Sequence, residues 1–205
     1  SLFYNKYIWL FFLIIVSLIL FIEFNYLIKK IWKKEKNITT SLKILSLSFL
    51  TILIYVSYTI YNNPPTGLVF IILICIFSDT GGYLIGNLIG GKKLTKISPN
   101  KTYSGVVGSF LLSIISYSIF VDYLSYFNFN KNIIFTVNNF DYIFIILISA
   151  ISQIGDLTIS YFKRKSNIKN TGKLLPGHGG ILDRIDGIVF VFPILYFLIL
   201  LFNFK

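Results

Sequence analysis

Residues Tyr7–Ile28 read YIWLFFLIIVSLILFIEFNYLI, and this stretch decides the class of fold. An α-helix rises about 1.5 Å per residue, so roughly 20 apolar residues cross the hydrocarbon core of a bilayer, which is about 30 Å thick. The apolar run is too long and too aromatic for an ordinary signal-peptide core, and no small-residue cleavage site follows it. The stretch therefore predicts a retained membrane helix.

The whole chain has the composition of a membrane protein. Of its 205 residues, 55% are hydrophobic and 13% are charged, and the mean hydropathy is +0.76. In soluble domains about a quarter of the residues are charged, so this chain has too little polar surface to face water. A soluble enzyme, a disordered protein and a fibrous protein are excluded. The single cysteine, Cys75, excludes an intramolecular disulfide.

Six apolar runs are long enough, or nearly long enough, to span a bilayer. They are Tyr7–Ile28, Ile44–Tyr61, Gly67–Ile89, Gly105–Phe127, Tyr142–Phe162 and Gly187–Phe204. Backbone groups in lipid must form hydrogen bonds within the chain, which favours helices for such runs. We therefore predict an all-α, polytopic integral membrane helix bundle over residues 1–205, with a two-helix N-terminal region at 1–66.

The basic residues predict the orientation of this bundle. Sixteen of the 19 Lys and Arg residues lie in alternate connections, at 29–43, 90–104 and 163–186. Because loops rich in Lys and Arg stay in the cytoplasm, we expect these connections inside and both termini outside. The net charge of +11 favours anionic lipid head groups as partners rather than nucleic acid. The Asn-rich segment Asn128–Asn139 is interpreted as a surface loop.

Three polar segments interrupt the apolar pattern. Ser78–Tyr83 contains a carboxylate inside the third run, and Gly155-Asp156 contains one near the end of the fifth. The third segment is the glycine-rich loop Pro176–Asp186. A carboxylate in the membrane costs about 3 kcal/mol unless it meets a cation, a partner or water. We therefore interpret Asp79 and Asp156 as functional residues. The alternative is that they pack between helices and form hydrogen bonds with neighbouring hydroxyl groups.

The last basic connection, at 163–186, differs from the other two in its residue types. It contains the only histidine, His178, and both arginines, Arg164 and Arg184. The planar guanidinium suits bidentate binding of phosphate, and the glycines beside His178 let backbone amides approach a ligand. Half of the eight acids lie in or beside the three polar segments.

Carboxylates beside many cations indicate a particular chemistry. Carboxylates recruit a hard divalent ion such as Mg²⁺, which shares its remaining ligand positions with phosphate oxygens. The combination fits phosphoryl or nucleotidyl transfer, in which alignment and charge stabilisation supply most of the catalysis. One histidine and one cysteine do not fit an acyl-transfer triad or a zinc site.

The segment Ser160–Asp186 resembles the signature of the phosphatidate cytidylyltransferases, also called CDP-diacylglycerol synthases. That signature contains a Ser, a Lys-Arg pair, a Lys-Asp pair and His-Gly-Gly-x-x-Asp-Arg-x-Asp. Three further stretches resemble family motifs in the same order: Asp79–Tyr83, Ser98–Thr102 and Gly155–Leu157. The chain departs from the family pattern at two positions, with Asn170 in place of Asp and Ser104 in place of Glu.

The resemblance implies an Mg²⁺-dependent nucleotidyltransferase of phospholipid biosynthesis in the cell's inner membrane, with its active site facing the cytoplasm. It would condense CTP with phosphatidate to CDP-diacylglycerol and pyrophosphate, and residues 67–205 would be its catalytic core. The implied catalytic residues are Asp156, Asp183, Asp186 and His178, and the three aspartates would bind the metal. A second cation and a homodimer remain open.

The implied substrate-binding residues are Asp79, Ser98, Lys101, Thr102, Lys163, Arg164, Lys169, Gly179, Gly180 and Arg184. Lysine and arginine side chains would hold phosphates of either substrate, and His178 would donate a hydrogen bond to phosphate. For Asp79 two roles stay open. It would be a metal or water ligand, or it would order a helix break at Gly81-Gly82.

Two alternative functions remain at this point. One is a related CTP-dependent lipid enzyme, either a polyprenol or phytol kinase or a synthase of the CDP-archaeol type. A kinase product would lack CMP. The other is a membrane transporter in which Asp79 and Asp156 line a path, although Asp183 and Asp186 lie in a loop and no carboxylate partner is expected in the outer half of the membrane.

Overall fold

The computed structural model describes residues 5–62, 66–126, 139–172, 174 and 179–202. Within these ranges the chain is helical apart from its connections, which include an isolated bridge between Lys93 and Thr102. The helices are α1 (Lys6–Ile31), α2 (Lys36–Asn62), α3 (Thr66–Ile89), α4 (Tyr103–Tyr126), α5 (Asn139–Lys165) and α6 (Leu182–Phe202). The predicted all-α architecture is confirmed. His178 and all but the last residue of the Asn-rich segment lie outside the described residues.

The helices are those of a multi-pass membrane protein. Over the described ranges, five of them, α1 to α5, are long and apolar enough to cross a bilayer. The predicted limits of the first and third spans agree with α1 and α3 to within three residues. Helix α2 begins at Lys36, eight residues before the predicted span, because the helix includes polar residues that precede its apolar part.

The chain forms two compact units, and it passes from one to the other within α3, after Leu68, and within α5, after Ile154. The first unit contains residues 1–68 and 155–205, and its core includes Leu20, Leu27 and Leu195, each at most 2% exposed. Ring contacts connect its helices, with Phe24 against Phe162 at 5.4 Å and Phe49 against Phe190 at 5.3 Å between centroids. The two N-terminal helices therefore share one unit with the glycine-rich loop segment.

The second unit, residues 69–154, is built on a close crossing of α3 and α4. A Cβ atom at Gly108 would lie 2.5 Å from the Cβ of Ile85 and 2.7 Å from the carbonyl oxygen of Gly81. Small residues allow this approach, as is usual where membrane helices pack closely. Helix α3 runs through Gly81-Gly82 without interruption, so the predicted alternative of a break there is wrong. The glycines serve helix packing instead.

A Gly108→Ala substitution should lower the free energy of unfolding by about 1–3 kcal/mol, because the added methyl group would overpack the α3–α4 crossing. Thermal unfolding in detergent micelles measures this change. Gly67→Ala is the matched control, since its Cβ would meet only Ile60 Cγ2 at an ordinary 3.6 Å. Equal stability of the two variants would contradict the tight crossing.

Candidate functional site

Two carboxyl groups meet where α5 and α6 of the first unit approach each other. A Cβ atom at Gly155 would lie 2.9 Å from the carbonyl oxygen of Asp186 and 3.0 Å from the Cβ of Phe190. Glycine is therefore required there for the two backbones to come so close. The next residue, Asp156, is hydrogen-bonded through its side chain to Asp186, whose residue surface is only 8% exposed. Such a hydrogen bond needs a proton on one of the two carboxyl groups. When both are ionised they repel each other, so a bound cation would stabilise the ionised pair.

The carboxyl pair fits a magnesium ion better than a metal that needs a complete protein cage. Across the described ranges, no group of three or more His, Cys, Asp and Glu side chains could hold a metal ion. Mg²⁺ needs only one or two carboxylates, because it retains waters and takes further ligands from substrate phosphates. Asp156 and Asp186 meet this requirement. The metal roles of Asp156, Asp183 and Asp186 stay predictions.

Asp183 binds two points of the connection between α5 and α6, Thr171 and Gly180. Its Oδ2 accepts the N–H of Thr171 at 2.8 Å and that of Gly180 at 2.9 Å. Its Oδ1 accepts a hydrogen bond from the ammonium of Lys163 at 3.0 Å. Burial alone would raise the pKa of Asp183, but these donors together hold that pKa below its usual range, so the carboxyl is ionised at neutral pH.

The backbone separates Asp183 from the apolar part of α6. Ile185 has φ −123° and ψ 18°, which interrupts the helix between the first turn and the run that begins at Gly187. Asp183 thus lies in a short turn outside the apolar run, whereas Asp186 stands at its start. The interruption lets the two acids serve different groups. Asp183 contacts the loop, and Asp186 contacts α5.

Glu23 is a site residue to which the sequence analysis assigned no role. Its residue surface in α1 is 6% exposed. Its carboxylate accepts hydrogen bonds from the Thr171 hydroxyl at 2.8 Å and from the N–H groups of Ile181 at 3.0 Å and Leu182 at 2.9 Å. The signal that would have found it is a carboxylate within a membrane-spanning run, the criterion that identified Asp79 and Asp156.

Cationic side chains surround the loop. Lys163 is held against Asp183, and its side chain is 16% exposed. Three further predicted phosphate-binding residues are exposed, namely Arg164, Lys169 and Arg184. Beside the loop, a cavity of about 520 Å³ is lined by Glu23, Asn170, Thr171, Gly172 and four residues of apolar or aromatic character. The surface around the loop can therefore attract an anionic ligand.

The predicted residues of the second unit form a capped connection before α4. The Thr102 hydroxyl accepts the N–H of Gly105 at 3.1 Å, which is the geometry of a helix N-cap. The N–H of Lys101 donates to the Ser98 carbonyl at 3.1 Å, closing a turn. Asp79 is exposed on α3. The substrate roles of these four predicted residues stay predictions.

The structure brings together most of the predicted residues of the first unit. Asp156 contacts Asp186, and Asp183 contacts Lys163 and Gly180. Gly179 has φ +90°, a backbone conformation that favours glycine, and a Cβ there would lie 2.8 Å from Asp183 Oδ2. The hydrogen-bond role of His178 stays a prediction.

Comparison with known proteins gives one matching family and a set of relatives that share one name. The chain matches the Cytidylyltransferase family over residues 1–202. A phosphatidate cytidylyltransferase of Bacillus subtilis strain 168 is 38% identical over 152 residues, which are 70% of this chain and 52% of the relative. Proteins of the same name from Staphylococcus haemolyticus strain JCSC1435 and Staphylococcus aureus strain COL are 40% and 41% identical over 144 and 147 residues, 68% of this chain and 52% of each relative. The chain spans about half the length of these curated relatives.

Proposed function

Because this chain belongs to the cytidylyltransferase family, we propose that it condenses CTP with phosphatidate, giving CDP-diacylglycerol and pyrophosphate. The observation that carries the proposal is the pairing of Asp156 with the buried Asp186, close to the Lys163–Asp183 ion pair. Carboxylates for a cation and ammonium groups for phosphates are what nucleotidyl transfer needs. The names of the relatives support the choice of substrates.

The reaction would take place at the cytoplasmic side of the inner membrane. The basic connections at 29–43, 90–104 and 163–186 favour that side by the positive-inside rule. The loop that contains the ion pair belongs to the last of these connections. CTP would then reach the loop from the cytoplasm, and its triphosphate would meet exposed cations there.

The bond changes are those of a phosphate attacking a phosphate. A phosphate oxygen of phosphatidate forms a bond to the α-phosphorus of CTP, and the bond from that phosphorus to the bridging oxygen of the β-phosphate breaks. Pyrophosphate leaves with the electron pair. Because the attacking phosphate is already anionic at neutral pH, no strong general base is required, and the main obstacle is charge repulsion between the substrates.

The residues of this chain lower that repulsion. A bound Mg²⁺, held by Asp156 and Asp186, would supply screening of phosphate charge and polarisation of the α-phosphate. Lys163 places an ammonium beside the loop, where it would hold a phosphate oxygen. Arg164 follows Lys163 in the chain and Arg184 follows Asp183. Both are exposed, and their guanidinium groups would suit the bidentate binding of further phosphate oxygens.

A lipid acceptor also has a place in the first unit. An apolar cavity of about 240 Å³ is lined by residues of α1, α2, α5 and α6, among them Phe24, Phe49 and Phe162. Two of its lining residues, Phe162 and Leu182, directly precede Lys163 and Asp183 in the chain. A lipid phosphate at those charged residues would therefore have apolar surface beside it for its acyl chains.

Pyrophosphate release tests the acceptor. Purified protein in detergent micelles, given CTP, Mg²⁺ and phosphatidate, should release one pyrophosphate for each lipid converted. Replacing phosphatidate with diacylglycerol or a polyprenol should abolish the release, because the attacking group is a phosphate. Formation of CDP with an alcohol acceptor would instead indicate a CTP-dependent kinase and would contradict the proposal.

A further inference from the structure

We propose that Glu23 is a positioning residue, whose carboxylate holds Thr171 and the backbone at Ile181-Leu182 where they place Asp183 and Lys163. Its expected effect on turnover rests on the proposed function, whereas its effect on the loop does not. Nothing in the family signature contains this residue, because it lies in α1, more than 140 positions before the loop in the sequence.

The contacts of Glu23 are those of a cap supplied by a different helix. The N–H groups of Ile181 and Leu182 stand at the first turn of α6, where backbone donors have no partner within the helix. A carboxylate there satisfies these donors. Removing it would leave two backbone donors in a largely buried position without their acceptor.

Two glycines leave the space that the carboxylate occupies. A Cβ atom at Gly172 would lie 2.6 Å from Glu23 Oε1, and a Cβ at Gly180 would collide with Glu23 Oε2. Any larger residue at either position would displace the acid or the loop. The glycines of this segment therefore serve Glu23 as well as the backbone turn at Gly179.

One side chain connects Glu23 to the charged residues. The Thr171 hydroxyl lies 2.8 Å from Glu23 Oε2 and 3.1 Å from Asp183 Oδ2. Asp183 in turn binds Lys163 at 3.0 Å. A shift of the Glu23 carboxylate would thus move Thr171, then Asp183 and its lysine. Three donors already occupy the Glu23 carboxylate, which assigns it to positioning rather than to metal binding.

Glu23→Gln tests this inference, because it keeps the size of the side chain and loses one acceptor oxygen. The neutral amide should insert into the membrane at least as easily as the acid. We expect amide hydrogen exchange at Ile181 and Leu182 to become about tenfold faster, since hydrogen bonds to a charged acceptor are lost. The matched control is Ser17→Ala on the same helix, a buried hydroxyl that has no hydrogen-bond partner among the described residues.

Kinetics provide the second readout. In Glu23→Gln, kcat/KM should fall about 10- to 100-fold, as is typical for groups that orient catalytic residues. The KM for CTP should rise several-fold, whereas a smaller folded fraction would lower the apparent kcat and leave KM unchanged. Thr171→Val should raise KM in the same way, and Thr171→Ser should keep it near the parent value because it retains the hydroxyl.

Defined outcomes would overturn the inference. Exchange at residues 181 and 182 that matches Ser17→Ala, or an unchanged KM in both Glu23→Gln and Thr171→Val, would contradict a positioning role. If Glu23→Gln does not fold, the comparison of Thr171→Val with Thr171→Ser decides. If the parent protein transfers no cytidylyl group, the proposed function fails, and the exchange measurement alone decides the role of Glu23.

Discussion

Asp186→Asn should lower the rate of cytidylyl transfer by about 100- to 1,000-fold without lowering the unfolding temperature. The loss is expected because the substitution removes one of the two carboxylates that would bind Mg²⁺ and so weakens charge stabilisation in the transition state. The retained stability follows from the position of Asp186 beside Asp156. An asparagine can donate a hydrogen bond to Asp156, and it relieves repulsion between like charges.

Initial rates with CTP and phosphatidate, together with thermal unfolding in the same micelles, measure both effects. The matched control is Asp141→Asn, since Asp141 accepts a hydrogen bond from Tyr117 at 2.7 Å in the second unit and has no proposed role in the reaction. It should retain activity within about threefold. If the Asp186→Asn variant were as active as this control, the carboxyl pair would have no role in the mechanism.

Asp183→Ala should lower activity by more than about 100-fold and also destabilise the loop. The variant leaves the N–H groups of Thr171 and Gly180 without their acceptor, and Lys163 without its counter-ion. Each buried polar group left without a partner costs about 1–3 kcal/mol, so the segment should detach from α6. The ammonium that would hold a phosphate would then lose its fixed position.

Limited digestion with trypsin reports the order of this segment, because Lys169 lies in the connection between α5 and α6, two residues before Thr171. Cleavage there should be faster in Asp183→Ala than in the parent, and Asp183→Asn should fall between them because it keeps one acceptor oxygen. Unchanged cleavage together with more than a tenth of the parental activity would show that Asp183 neither orders the loop nor supports the reaction.

The helical architecture could be predicted from the sequence because it depends mainly on one property, the hydrophobicity of long segments. Apolar runs of about 20 residues have only one stable form in a bilayer, so the helices and most of their limits could be predicted. The start of α2 could not, since the hydropathy of a segment identifies the part in lipid and not the polar turns that continue the helix. The glycines at 81 and 82 were ambiguous for a similar reason. A glycine pair permits a break and a close crossing equally well, and only the position of Gly108 distinguishes them.

The sequence was enough to predict most residues of the site, but not which of them contact each other. The family resemblance implied one cluster of three acids at Asp156, Asp183 and Asp186, whereas the structure pairs Asp156 with Asp186 and places Asp183 against Thr171 and Gly180. This division depends on the interruption at Ile185, which no residue type in the segment requires. Glu23 was missed because its partners are backbone amides more than 150 positions away, and backbone donors have no sequence signature.

The position of the label after a single reaction decides between the proposed reaction and its alternatives. Purified protein in micelles with phosphatidate and Mg²⁺ would receive CTP labelled either in the cytosine ring or in the γ-phosphate, and the lipid extract would be counted. Transfer of CMP predicts that the cytosine label enters the lipid while the γ-label stays in the aqueous phase as pyrophosphate. A lipid that carries the γ-label, or a lipid extract without either label, would contradict the proposal that this chain makes CDP-diacylglycerol.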